Sequence, residues 1–159
     1  MTFKNNDLEM MMEQCIQELS KLGYPVGEIR NISFSPGSRT ALAYCKAVQD
    51  RSRDPMENEV LDYTFQIRVH GAFRDLDERY ETDLRTLIMH EVIHTVDLSK
   101  LRSDKKRSGI LNHGSDFLKV KEEIEQAYGY RHIYDDGGKY KTSLHKYMDE
   151  YYRQKAMKR

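Results

Sequence analysis

Leu8, Met11, Met12, Cys15, Ile16, Leu19 and Leu22 recur three and four positions apart, with charged and amide side chains between them. That spacing predicts an amphipathic helix over about 6–22, and Gly23 stands where a helix stop is expected. Pro25 and Gly27 mark a loop. Ile32 and Phe34 alternate with polar residues in a short strand, which Ser35-Pro36-Gly37-Ser38 ends. Residues 40–48 read as a second strand, and the polar stretch 50–60 with Pro55 as a loop. The clearest strand follows. Leu61, Tyr63, Phe65, Ile67 and Val69 alternate with Asp62, Thr64, Gln66, Arg68 and His70, a period of two that buries one face.

From Thr82 the period changes. Leu84, Leu87, Ile88, Val92 and Val96 form a helical face, and Met89 and Ile93 widen it. A helix apolar nearly all round is a buried one, and Thr82 or Asp83 is the expected cap at its start. A loop is predicted over about 99–112. A helix over 115–128 follows through Phe117, Val120, Ile124 and Ala127, ended near Gly129. Asp135-Asp136-Gly137-Gly138 reads as a turn, and Leu144, Tyr147, Met148 and Tyr151 as the face of a last helix. One helix, a small β region and then helices make an α+β fold, with no internal repeat.

A length of 159 residues fits one domain, not two. Lys and Arg total 26 and balance 26 Asp and Glu, and the chain holds 11 Tyr. A disordered chain has few aromatics and a large net charge, so the composition excludes it. The balance also excludes a uniformly basic nucleic-acid binder, though not a local basic patch. Cys15 and Cys45 are the only cysteines and form no CxxC pair, which excludes a disulfide scaffold and a four-cysteine zinc ribbon. No apolar run has the length of a signal peptide or of a membrane span, so the expectation is a soluble, cytoplasmic protein with no membrane partner.

His90-Glu91-Val92-Ile93-His94 is an HExxH motif on the buried helix. Residues four apart lie about one turn apart, so both imidazoles project from one side. Two such rings can hold one Zn²⁺, and the intervening carboxylate can take a proton from a water there. As an ordinary helix segment the motif fits poorly, because it would leave three polar groups unsatisfied in an apolar helix. A catalytic zinc needs a third His or carboxylate. The candidates are His113, Asp116, Glu122, Glu123, His132 and His145. His113 precedes Gly114-Ser115 and a new helix, and the intervening loop is long enough to fold that helix back and aim His113 at the metal. A solvated loop histidine is the plain alternative. The longer HExxHxxGxxH pattern fails, since Asp97 and Lys100 occupy its glycine and final histidine positions.

Leu84-Arg85-Thr86-Leu87-Ile88-Met89-His90-Glu91-Val92-Ile93-His94-Thr95 resembles the active-site helix of the SprT-like family of zinc metallopeptidases. Asn112-His113-Gly114-Ser115-Asp116-Phe117 resembles that family's HGxxF element, whose histidine is its third zinc ligand. Ile32–Ser35 and Tyr63–Val69 stand in the places of its short sheet. The resemblance covers roughly residues 6–130 and leaves 131–159 as a C-terminal helical extension. It implies a zincin-like α+β fold and one Zn²⁺ per chain on His90, His94 and His113. It also implies Glu91 as general base and a protein or peptide substrate, with action on DNA-associated proteins. The Cys-rich zinc ribbon and long partner-binding tails of Spartan-type members are missing, which makes DNA a weak partner at most. The reading from another class is a catalytically silent module, associated with nucleic acid or protein, that keeps the fold. An intact Glu91 argues against it.

Two segments are basic. Residues 98–112 carry Lys100, Arg102, Lys105, Lys106 and Arg107 against Asp104 alone. Residues 139–159 carry seven cations against Asp149 and Glu150. Lys105, Lys106 and Arg107 are the candidate phosphate contacts, and a solvated loop is the favoured reading in a neutral chain. Asp97, three residues past His94, is a candidate to orient a ligand imidazole, or else to cap or pair with the basic loop.

Overall fold

The computed structural model describes residues 2–36, 41–49, 63–102, 109–136, 139 and 141–158. The first amphipathic stretch forms helix α1 (Asn5–Lys21), burying Leu8, Met11, Met12, Cys15 and Leu19. The Asp7 carboxylate accepts the Lys4 N–H at its start (2.7 Å). Gly23, at φ +90°, turns the chain away at its end, a conformation that costs glycine little.

Three strands follow: β1 (Glu28–Phe34), β2 (Ala43–Gln49) and β3 (Tyr63–Val69). They lie in the order β1-β3-β2, with β1 parallel and β2 antiparallel to β3. β1 is longer than its apolar alternation predicts, because parallel pairing recruits Glu28 through Asn31, with an irregularity between Ile29 and Asn31. Phe65, Ile67 and Val69 are buried as the period of two requires. Ala43, Cys45 and Ala47 pair with Val69, Ile67 and Phe65. Directly paired residues share a face, so β2 turns only small side chains toward the core. The expected loop 50–60, Leu61, Asp62, and the glycines of both expected turns, Gly37, Gly137 and Gly138, lie outside the described residues.

The helix that carries the HExxH motif is α2 (Glu81–Ile93), and its ends differ from the sequence reading. Thr82 and Asp83 do not cap it. A 3-10 turn at Gly71–Asp75 is followed, after extended Leu76 and Asp77, by a second at Glu78–Tyr80 that runs straight into it, and Asp77 caps that second turn by accepting the Arg79 N–H (2.9 Å). Thr82 and Asp83 therefore fall inside the first turn. At the other end the helix stops with His94 as its last half-turn, so Val96 is not on the helical face. The 25–27 segment intervenes there: Gly27 donates to the Thr95 carbonyl (2.8 Å), Asp97 donates to that of Pro25 (2.8 Å), and Val96 bridges Val26.

Helix α3 (Ser115–Tyr128) ends at Gly129, φ +76°, whose N–H closes on the Glu125 carbonyl (2.9 Å). Helix α4 (Ser143–Met157) starts at Thr142, whose hydroxyl accepts from His145 N–H while His145 Nδ1 accepts from Thr142 N–H (3.1 Å). α1 packs on β1 and α2 on β2, the two helices touch, and α3 and α4 close over α2. The result is a mixed α+β arrangement around one core. Ile88, Met89, Val92 and Ile93 of α2 sit in that core with no exposure. Truncating Ile88, Met89 or Ile93 to Ala is worth roughly 2–5 kcal/mol. No helix among the described residues is long and apolar enough to cross a membrane.

Candidate metal centre

His90 and His94 leave α2 one turn apart, with ring centroids 5.2 Å from each other. His113 reaches them from the turn before α3, its centroid 4.9 Å from each. The three Nε2 atoms converge: His113 to His90 is 3.0 Å and His113 to His94 is 3.1 Å. His113 is the most open of the three. The ring of Phe117, fully buried on α3, lies 4.8–4.9 Å from all three imidazoles. Tyr134 stacks on His113 at 4.4 Å.

Backbone carbonyls set the tautomers. His90 Nδ1 lies 2.6 Å from the Ile133 carbonyl and His94 Nδ1 lies 2.7 Å from that of Ile110. A carbonyl only accepts, so both Nδ1 atoms carry the proton and both Nε2 atoms present lone pairs. His113 can donate one Nε2–H to only one of two neighbours. The neutral cluster therefore leaves at least one imidazole lone pair about 3 Å from His113 Nε2 with no proton to accept. Such a donor set suits a shared cation, and this group can hold a metal ion. Burial lowers the His90 pKa to about 4, against the pull of the Ile133 carbonyl. Burial also lowers those of His94 and His113. Neutral imidazole, the ligating form, is thus the favoured one.

Glu91 sits beside the cluster, its side chain 6% exposed and Oε1 3.8 Å from His90 Nε2. Its Oε2 has no hydrogen-bond partner among the described residues, and burial pushes its pKa up to about 8. A cation on the imidazoles opposes that push. Cys45 lines the cleft next to it, with its thiol raised to about 12 by burial and then by Glu91.

The remaining candidates lie elsewhere. Asp97 is not aimed at an imidazole: it accepts from the Ser99 N–H (3.1 Å) and hydroxyl and faces Lys100 (3.9 Å), capping the short turn Leu98–Lys100. Asp116 pairs with Arg102 (3.0 Å). Glu122 is exposed, and Glu123 takes the Tyr24 hydroxyl. His132 is exposed at φ +61°, and His145 caps α4. Lys105, Lys106 and Arg107 lie outside the described residues. In the second basic segment Lys139 pairs with Asp136, Lys141 with Asp149 and Arg153 with Glu150.

The carbonyls of Ile110 and Ile133 escaped the sequence reading because any residue supplies a carbonyl. Ile110 is placed by Gly109, at φ +97°. A Cβ at Gly109 would lie 2.9 Å from the Phe65 ring and 3.1 Å from the His94 carbonyl. Gly109 donates to Val96 and Ile110 donates to His94, so the segment is laced to the end of α2. No family model, no curated protein and no solved structure matches this chain.

Proposed function

We propose that this chain is a zinc-dependent metallopeptidase of the SprT-like kind, with His90, His94 and His113 as the metal ligands and Glu91 as the general base. The observation that carries the reading is the convergence of three Nε2 atoms beside a buried carboxylate oxygen that has no partner. The donor set fits: three neutral imidazoles and room for a fourth, non-protein ligand are the pattern of a catalytic zinc. Zinc in such a place supplies Lewis acidity and a water acidic enough to lose its proton near neutral pH.

The chain's own residues do the rest. The Ile133 and Ile110 carbonyls hold His90 and His94 in the tautomer that ligates. Glu91 Oε2 takes the proton of the attacking water and then delivers it to the leaving amine nitrogen. A peptide or protein is the substrate. DNA is at most a weak partner, since much of the basic charge in the described C-terminal segment is already paired.

The test uses the full chain. About one zinc per chain is expected. Glu91→Gln keeps the metal and loses roughly 10²–10⁴-fold in casein or crosslinked-protein cleavage, measured with and without DNA. His113→Ala sharply weakens zinc binding. Equal cleavage by wild type and Glu91→Gln removes Glu91 from the mechanism. Full zinc occupancy in His113→Ala shows the ligand set to be wrong. Cleavage by neither protein under any condition favours the silent module.

A further inference from the structure

A cavity of about 550 Å³ opens directly against His90, Glu91 and His113. Its walls come from parts of the chain that are distant in sequence. Ala43 enters from the start of β2 and Leu42 from just before it, Thr86 and Leu87 from α2, and Ile133 and Leu144 from the C-terminal extension. Arg131 and His132 lie exposed at its mouth, and several other polar groups of the lining are already engaged with one another. Asp83 accepts from the Ser143 hydroxyl (2.8 Å), and Lys141 pairs with Asp149 (3.0 Å). His145 Nδ1 accepts from Thr142, so its proton sits on Nε2, which faces Asp135 at 3.3 Å. A polar ligand group seated among Asp83, Lys141 and His145 would have to break these pairs, and a buried polar group left unpaired is costly. The apolar floor carries no such penalty. Ala43 and Thr86 keep two walls well back, so the space suits one large side chain rather than a methyl.

The geometry points to a specificity pocket for a large apolar side chain, phenylalanine or leucine, flanking the bond to be cut and completed by Ile133 and Leu144 of the extension. The inference rests on the peptidase reading for the word "cut", but the cavity stands on its own lining. Its continuity with Glu91 and two of the three imidazoles makes the occupant a residue of the substrate itself.

Two measurements test it. The first profiles cleavage of a peptide library by zinc-loaded wild type, Thr86→Phe and Ala43→Leu. The two variants fill the cavity from different elements, β2 and α2, and Thr86 loses only a hydroxyl contact to Thr82 of its own helix (2.9 Å). The second follows the methyl resonances of Leu87, Ile133 and Leu144 in the zinc-loaded wild type against N-acetyl-phenylalaninamide and N-acetylglycinamide. Phe or Leu at one fixed position is expected to be preferred at least about tenfold over Gly, the scale of a hydrophobic pocket. Either filled variant shifts the preference to smaller residues. Only the phenylalanine probe moves the methyls saturably. Cleavage with no such preference, or with one that neither variant changes, overturns the pocket while leaving the peptidase reading intact. No cleavage but a saturable phenylalanine-specific shift supports the pocket and overturns the peptidase reading. Absence of both overturns both.

Discussion

Replacing Phe117 with Ala removes the ring on which all three imidazoles rest. Phe117 has no exposure and its centroid lies 4.8–4.9 Å from those of His90, His94 and His113. A buried Phe→Ala costs roughly 3–5 kcal/mol in transfer and cavity terms. That is a large part of the 5–15 kcal/mol typical of a domain, but not all of it. Residue 117 stands in the first turn of α3, directly after the turn that carries His113, so its loss also frees that turn. Groups that orient metal ligands are worth about 10–100-fold in affinity. Zinc stabilises the folded chain by RT ln(1 + [Zn]/Kd), so a 10–100-fold weaker Kd lowers the zinc-dependent increment by about 1.4–2.7 kcal/mol. Urea unfolding of metal-free and zinc-loaded wild type, Phe117→Ala and Phe117→Leu measures both effects, with chelator competition giving Kd directly. Leu restores much of the volume but no aromatic face. It is expected to recover most of the metal-free stability and less of the affinity. Equal destabilisation with and without zinc, at unchanged Kd, refutes the reasoning and makes the ring ordinary core.

Gly109→Ala forces a side chain into φ +97° against Phe65 and the His94 carbonyl. It is expected to lose about 1–3 kcal/mol of stability and to weaken zinc, whereas Gly23→Ala, strained at φ +90° but with nothing within 4 Å, loses stability without touching zinc affinity. Matching zinc affinities for the two variants refute the link through Ile110. In the metal-free chain the folded His90 pKa of about 4 lies below the ordinary 6.5. The unfolded chain therefore takes up that proton first as pH falls. Stability from this group is intact above about pH 6.5 and drops by about 3 kcal/mol on the way to pH 4. His90→Gln removes that part of the pH slope in urea unfolding, and an unchanged slope refutes it. Duplex DNA binding is expected to be micromolar or weaker at low salt, and changing Lys105, Lys106 and Arg107 to Ala flattens the salt slope by up to about three units. Tight, salt-resistant binding to single strands contradicts this.

What was legible in the sequence is what depends on side-chain type at short range. The period of α1, the alternation of β3 and the Gly129 stop of α3 are local signals, and each element formed where they lie. The HExxH pair is local too, since one helical turn suffices to bring His90 and His94 together. His113 was legible as one of six third-ligand candidates, favoured by its place before a new helix, and the resemblance singled it out, because no spacing rule by itself brings a loop residue back onto a helix. The start of α2 was misread because Thr82 and Asp83 are good caps in isolation, while the chain arrives already coiled through Glu78–Tyr80. Its end was misread because Val96 fits the apolar period, while the helix actually yields to pairing with Pro25 and Gly27.

That early stop explains why Asp97 does not orient a ligand. Three residues past His94 on a continuing helix, a carboxylate would face the imidazoles. Off the helix it turns to Ser99 and Lys100. Two backbone carbonyls orient the rings in its place, and they carry no net charge. A second buried carboxylate against the cluster would repel Glu91 and add a desolvation cost of its own. With carbonyls as acceptors, Glu91 is the one buried carboxylate beside the imidazoles among the described residues. Among the described residues its Oε2 is a buried carboxylate oxygen with no hydrogen-bond partner, which is what the proposed role as proton acceptor requires.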